Sequence, residues 1–492
     1  MRIRHILFLG LTAWMLGSCT GATEKTGAAE KPDEFLPGLK SRLAANESRG
    51  KLVYTFASLA YTVDAKWGKG KPLVGMERMA GIAHKHGIPV TWLIDTGTGS
   101  AMKDKIDEWH NAYGDDIALY IESEPGDPVH AAKMKAELDS LRKLFPWSDV
   151  KPLAASHRSN EMLKEAKGLN LNSVWGSCWE QVGVDRITDR GAPWGLYYVS
   201  EDNYKIPSLK GKGLVSVEWT SRDLSKSLHT GAPTTYSSDP NDVGRSELCT
   251  GTDIGYWKGM FDNYIRNIAS NQYVFFQQHQ EAHEMEYGDV CKAYSPEEID
   301  EVEKILDAFF TYVKSYGDLV ELRTIPQAVQ LYNDAFQETA PSVMLFDDVP
   351  VSRPVFWYGR ENRATGPWPK TLLYYDKECQ LAFIEGQLKP RMSRDYIHNR
   401  AVDDRNYYQA AYEPEVKLQI PWKDIEFLEV PIEISSKEEM PYGVAFWYDF
   451  DRYRIKNVEG ATYVGPVEDQ VALLRLNLEK GKNNVVVHLE KK

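Results

Sequence analysis

The densest run of chemistry-bearing side chains is Gln277-Gln278-His279-Gln280-Glu281-Ala282-His283-Glu284, directly after the apolar segment Tyr273–Phe276. Imidazoles and carboxyls beside a buried strand are costly to desolvate, so their concentration there marks a candidate active site. His279 and His283 are four residues apart, so on a helical turn both would face one side and could share a divalent metal. A metal site needs further ligands, and the metalloprotease pattern, with glutamate directly after the first histidine, is absent. Glu281, with His279, His283 and Gln278 as neighbours, is the leading candidate for an acid–base or nucleophilic carboxyl.

Three more acids follow apolar segments and sit near aromatic rings: Glu180 in Trp175-Gly176-Ser177-Cys178-Trp179-Glu180-Gln181, Glu218 beside Trp219, and Asp64 in Thr62-Val63-Asp64-Ala65-Lys66-Trp67. A carboxyl against indole loses solvation, which raises its pKa and suits it to donate a proton near neutrality. Two carboxyls across a glycosidic bond can hydrolyse it without a metal. Glu281 with Glu180, Glu218 or Asp64 is therefore the expected catalytic set. Trp67, Trp175, Trp179 and Trp219 offer flat faces for sugar rings, with Arg158 and Gln278 as polar contacts. Asp95, Glu122 and Glu124 complete the ring of acids. Such chemistry needs no cofactor; a divalent metal enters only through His279 and His283. The plain alternative is surface carboxylates and core aromatics, without turnover. His84 and His86, on the helix after the first strand, read as structural.

These side chains need a frame in which strand ends converge. From residue 51 to about 337 short apolar strands (Leu52–Ala57, Val90–Ile94, Ile117–Ile121, Pro152–Ala155, Leu214–Val217, Tyr273–Phe276, Leu319–Leu322) alternate with amphipathic helices. Met134, Leu138, Leu141 and Phe145 share one helical face, as do Ile299, Val302, Ile305, Leu306 and Phe309. Ser295, Pro296 and Glu297-Glu298 make a strong helix start. Repeated strand–helix units predict an α/β fold with a parallel sheet, here an irregular (β/α)7-8 barrel over residues 51–340, with chemistry at the strand ends. From residue 341 the period changes to two, as in Val416, Leu418, Ile420 and Val485, Val487, Leu489. That predicts a C-terminal antiparallel β-sandwich over 341–492.

The chain opens with Arg2, Arg4 and His5, a short apolar run Ile6–Met15, and Leu16-Gly17-Ser18-Cys19. This order predicts a lipoprotein signal over 1–18, lipidation of Cys19, and a flexible linker over 19–50. The expected location is the outer membrane or cell surface, lipid-anchored and extracytoplasmic. The formal charge of −13 argues against nucleic acid as a partner, and 42% hydrophobic residues describe a chain able to fill a core. Pairing among Cys178, Cys249, Cys291 and Cys379 stays open, as does the oligomeric state, although Cys249 and Cys291 flank one compact segment.

Residues 51–337 resemble the glycoside hydrolase/deacetylase superfamily, which contains polysaccharide deacetylases and family 57 glycosidases. The resemblance rests on Tyr54-Thr55-Phe56 in the first strand, Pro89-Val90-Thr91-Trp92-Leu93 in the second, Gly114-Asp115-Asp116-Ile117-Ala118-Leu119 leading the third, and Ser156-His157-Arg158-Ser159-Asn160. It implies an irregular barrel that acts on poly- or oligosaccharide. The deacetylases' two aspartates, one a base and one a metal ligand, are replaced here by Ala57 and Ser58, and their metal-binding histidine pair by Tyr120-Ile121-Glu122. The whole chain also resembles Bacteroidetes-type lipoproteins in which a barrel precedes a β-domain. Three readings follow: a glycoside hydrolase, ahead of a metal-dependent deacetylase, and a non-catalytic glycan-binding lipoprotein.

Overall fold

A computed structural model describes residues 50–60, 73–121, 130–155, 160–177, 195–201, 208, 211–226, 236–286, 294–340 and 342–351; beyond these it describes 355–357, 360–362, 371–376, 381–386, 391–392, 415–418, 428–436, 439–447, 452–467 and 471–492. Cys19, Asp64, Trp67, Glu122, Glu124, Arg158, Cys178, Trp179, Glu180, Cys291 and Cys379 lie outside the described residues. Cys249 is buried. No helix among the described residues is long and apolar enough to cross a membrane.

The first body is a nine-stranded sheet. Its strands are β1 (Lys51–Ala60), β2 (Val90–Ile94), β3 (Asp116–Ile121), β4 (Pro152–Ala155), β5 (Ser173–Ser177), β6 (Leu196–Tyr198), β7 (Val215–Glu218), β8 (Tyr273–Glu281) and β9 (Val320–Arg323). The order is β6-β7-β5-β4-β3-β2-β1-β8, with β9 also paired to β1. All pairings are parallel except β6 with β7. The barrel nearly closes: just past β7, the Ser221 amide donates to the Gln277 carbonyl of β8 at 2.8 Å.

Alternation along each strand separates two cores. Ala57, Leu59, Leu93, Ala118, Tyr120, Ala154, Trp175, Val215, Val217 and Trp219 face inward and pack with Ile325, Val329 and Tyr332. Those last three belong to α9 (Ile325–Ala335), the final helix of this body. The opposite faces carry Tyr54, Phe56, Trp92, Ile94, Ile117 and Leu119, which pack on the helices. The helix over Pro296–Lys314, α8, has the predicted start: Ser295 and Glu298 form a capping box and Pro296 opens the first turn. His84 and His86 take structural partners, pairing with Asp115 at 3.0 Å and Asp307 at 2.7 Å.

One expectation needs correction. The strand read as ending at Phe276 continues to Glu281, so the polar run Gln277–Glu281 lies within β8. The side-chain amides of Gln277 and Gln278 remain buried because they are paired. Thr55 Oγ1 donates to Gln277 Oε1, Tyr54 Oη donates to Gln278 Oε1, and Gln278 Nε2 donates to the Ser238 carbonyl at 3.1 Å.

The downstream part is antiparallel. One four-stranded sheet runs β15-β18-β21-β20 (Arg391–Met392, Met440–Trp447, Val471–Leu478, Thr462–Val467). The other runs β16-β17-β22-β19 (Glu415–Leu418, Glu429–Ser436, Gly481–Lys491, Tyr453–Glu459). Leu474, Leu476 and Leu478 from the first share a core with Ile432, Ile434, Val485 and Val487 from the second, which is the expected sandwich.

The junction between the two parts is an asparagine ladder. Helix α7 (Gly255–Arg266) and the turn after it present Asn263, Asn267 and Asn271 toward β10 (Ser342–Phe346). Each amide pairs with both backbone groups of one residue. Asn263 pairs with Asp347 (2.9 and 3.0 Å), Asn267 with Leu345 (3.0 and 2.8 Å), and Asn271 with Val343 (2.6 and 2.9 Å). Four helical residues advance about 6 Å and two strand residues about 6.6 Å, so the two spacings match. A helix thereby satisfies one edge of β10, whose other edge pairs with β13 (Thr371–Asp376).

Candidate active site

Strand alternation puts His279 and Glu281 on the inner face of β8. His279 is fully buried between Trp175 and Trp219, with ring centroids at 5.6 and 4.9 Å. The Trp219 indole N–H donates to His279 Nε2 at 2.8 Å. Asp239 Oδ2 lies 3.6 Å from the same nitrogen. Burial pushes the His279 pKa down against the raising charges of Asp239 and Glu281, so the ring is neutral.

After Glu281 the chain turns into a short 3-10 helix, Ala282–Met285. His283 Nε2 lies 3.1 Å from Glu281 Oε2. Burial alone would raise Glu281, but the His283 imidazole paired with it holds it below the usual carboxylate range. His283 moves the other way: burial would lower it, and the Glu281 bond with the charges of Glu281, Glu284 and Glu286 raises it. Glu284 is pushed up to about 8, first by burial, then by the charges of Glu281 and Asp239. Asn241 and Gln280 each donate an amide N–H to Glu284 Oε2, the latter at 3.3 Å.

The turn is held from both sides. The loop before α6 (Pro240–Arg245) supplies Asp239, whose Oδ1 accepts from the amides of Asn241 and Asp242 at 2.9 and 3.1 Å. On the other side, helix α1 (Leu73–Lys85) brings Gly75 so close that a Cβ there would lie 1.7 Å from the Ala282 carbonyl oxygen. The Gly75 amide donates to Glu286 Oε1 at 3.4 Å.

Of the residues read from sequence, the structure brings Glu281, His283, His279, Trp175 and Trp219 together. Glu218 ends β7, and its carboxyl accepts from the Gly195 amide at 2.7 Å and Ser221 Oγ at 3.4 Å. Gln278 points to the other face of β8 and binds Tyr54 and Ser238. Asp95 caps α2 (Thr96–Ala101) by accepting from the Thr98 amide. Trp175 and Trp219, only 2% and 8% exposed, wall His279 and do not offer open faces for stacking. His279 and His283 do not share a helical turn, because one sits in the strand and the other in the turn after it. Among the described residues the group able to hold a cation is instead Glu281, His283 and Glu284, with one ligand atom from each lying within 4.8 Å of the others. Sequence reasoning placed Glu284 in the cluster but gave it no role, and it missed Asp239 as a member of the site. Asp239-Pro240 is a legible helix start, but its position beside Glu284 is not.

No family model matches the chain, and no curated protein sequence matches it. Among solved structures it is similar to PuuE allantoinase, with 11% identity, a TM-score of 0.39, and coverage of 59% of this chain and 92% of that one. It is also similar to the 4-alpha-glucanotransferase of Thermococcus litoralis, with 7% identity, a TM-score of 0.34, and coverage of 90% and 100%. A third is a peptidoglycan N-acetylglucosamine deacetylase, with 10% identity, a TM-score of 0.29, and coverage of 58% and 90%. At these scores the likenesses assign no activity.

Proposed function

We propose that the chain hydrolyses a glycan bond at the mouth of its barrel, with Glu284 as acid and Glu281 as base or nucleophile. The supporting observation is the divided protonation of two neighbouring carboxyls, whose oxygens approach within 4.8 Å. At neutral pH Glu284 keeps its proton and Glu281 is ionised. Environments that push two acids apart in this way assign their roles. Oxygens within 4.8 Å of one another are compatible with the roughly 5 Å separation of retaining glycosidases. Glu284 gives its proton to the leaving oxygen as the C–O bond breaks, while a Glu281 oxygen bonds to the carbon. Water then displaces Glu281 and returns a proton to Glu284. His283 keeps Glu281 charged and oriented. The lipid anchor expected at Cys19 would place this activity at an extracytoplasmic membrane face.

A second reading is favoured by the same donor set. One imidazole nitrogen and two carboxylate oxygens suit a divalent cation such as zinc. Glu281, His283 and Glu284 would hold it, and it would polarise an acyl oxygen, as glycan deacetylation requires. That arrangement needs Glu284 ionised. The test is turnover of the purified chain on neutral and acetylated glycans, with metal content measured after dialysis. New reducing ends, unaffected by chelator and lost in Glu281→Gln, support the first reading. Bound stoichiometric zinc with acetate release supports the second. A folded protein that turns over neither substrate contradicts both.

A further inference from the structure

We propose that Asp348, beyond the barrel in sequence, is a positioning residue for this site. Its buried ion pair with Lys226 fixes the segment 219–226, whose first residue holds His279. The inference rests on the reading of Glu281 and Glu284 as the site, with His279 on the same strand face as Glu281.

Lys226 is 0% exposed and ion-paired with Asp348. Its backbone amide donates to Asp223 Oδ1 at 2.9 Å, and Tyr256 of α7 donates to Asp223 Oδ2 at 3.1 Å. The Asp223 amide donates to the Tyr236 carbonyl at 3.0 Å, and the Lys226 ammonium lies 6.0 Å from the Tyr236 ring. One step back, Tyr264 of α7 donates to the Arg222 carbonyl at 2.9 Å, and Ser221 ties the segment to Gln277 of β8. Trp219 ends this chain on His279. The same segment carries the loop that bears Asp239, through Ser221 with Ser238 at 2.8 Å.

Asp348 is itself fixed. The asparagine ladder sets the backbone up to Asp347, and the Asp347 carboxylate pairs with Arg266 of α7. Helix α7 therefore grips the downstream chain on one side and the 219–226 segment on the other. A buried ammonium that loses one counter-charge must shift toward what remains, here the buried Asp223 of the same segment, or toward water. With Asp348 gone, Lys226 would drag the end of the segment with it, and Trp219 would shift on His279.

The test is the Trp219 indole N–H resonance in full-length protein labelled with ¹⁵N-tryptophan, assigned with Trp219→Phe. In Asp348→Asn this resonance is expected to leave its hydrogen-bonded position. Turnover should fall at least about tenfold, the scale of a sub-ångström misplacement, while KM holds. Asp348→Glu keeps the charge and changes its reach; it should fold and shift the signal less. A folded variant at position 348 whose Trp219 resonance is unmoved overturns the proposal. Wild-type protein without turnover would sink the hydrolase reading and leave the spectral test intact.

Discussion

Trp219 donates its indole N–H to Nε2 of His279, and this contact decides which ring nitrogen carries the proton. With Nε2 accepting and the ring neutral, Nδ1 is the donor, and it is buried without a hydrogen-bond partner among the described residues. Trp219→Phe keeps a ring against His279 but leaves Nε2 to Asp239, at 3.6 Å. Turnover should drop at least about tenfold, and stability by about 1–3 kcal/mol for the unsatisfied group. Steady-state rates and thermal melts check both. An unchanged rate would show that the Trp219–His279 contact does not support the site.

Glu284 should cost the fold stability at high pH. Its folded pKa is raised from 4.5 to about 8, so its stabilising proton uptake is complete below the lower value and lost as pH rises through the upper. Gln cannot titrate and can still accept from Asn241. Glu284→Gln should therefore match wild type near the lower pH and exceed it at the higher one, by on the order of 1 kcal/mol after discounting for solvent. Melts at the two pH values that show the same difference would contradict the burial of this carboxyl.

Gly75→Ala should loosen the catalytic turn from a distance. Its Cβ would fall 1.7 Å from the Ala282 oxygen, so α1 or the turn must move. Overpacking of this kind costs about 1–3 kcal/mol, and the displaced Glu281 should lower turnover more than it lowers the melting temperature suggests. A variant as stable and active as wild type would show that the contact is slack.

The barrel was legible because short apolar strands alternate with amphipathic helices. The sandwich was legible from the period of two in Leu474, Leu476 and Leu478. What stayed hidden depends on partners distant in sequence. Gln277 and Gln278 read as a loop because Thr55 and Tyr54, which satisfy them, lie more than 200 residues away. Glu218 looked catalytic beside Trp219, and its carboxyl is held by the Gly195 amide and Ser221, contacts that no local pattern announces. The asparagine ladder has helical spacing on one side and strand spacing on the other, and neither half signals the other.

Replacing Cys19 with Ala should leave the chain unlipidated and release it from the membrane fraction, because acylation needs that thiol. Fractionation followed by a carbonate wash reads the outcome. A mutant that still pellets would contradict the anchor.

The most direct test of the account is the pH–rate profile of wild type beside Glu284→Gln, on whichever glycan the chain turns over. If Glu284 is the acid, the wild-type rate falls as pH rises through about 8. In Glu284→Gln that limb should vanish, with the plateau at least about 10²-fold lower. A wild-type profile with no alkaline limb near that pH, or a Gln variant that keeps both limb and rate, would contradict the pairing of Glu284 with Glu281.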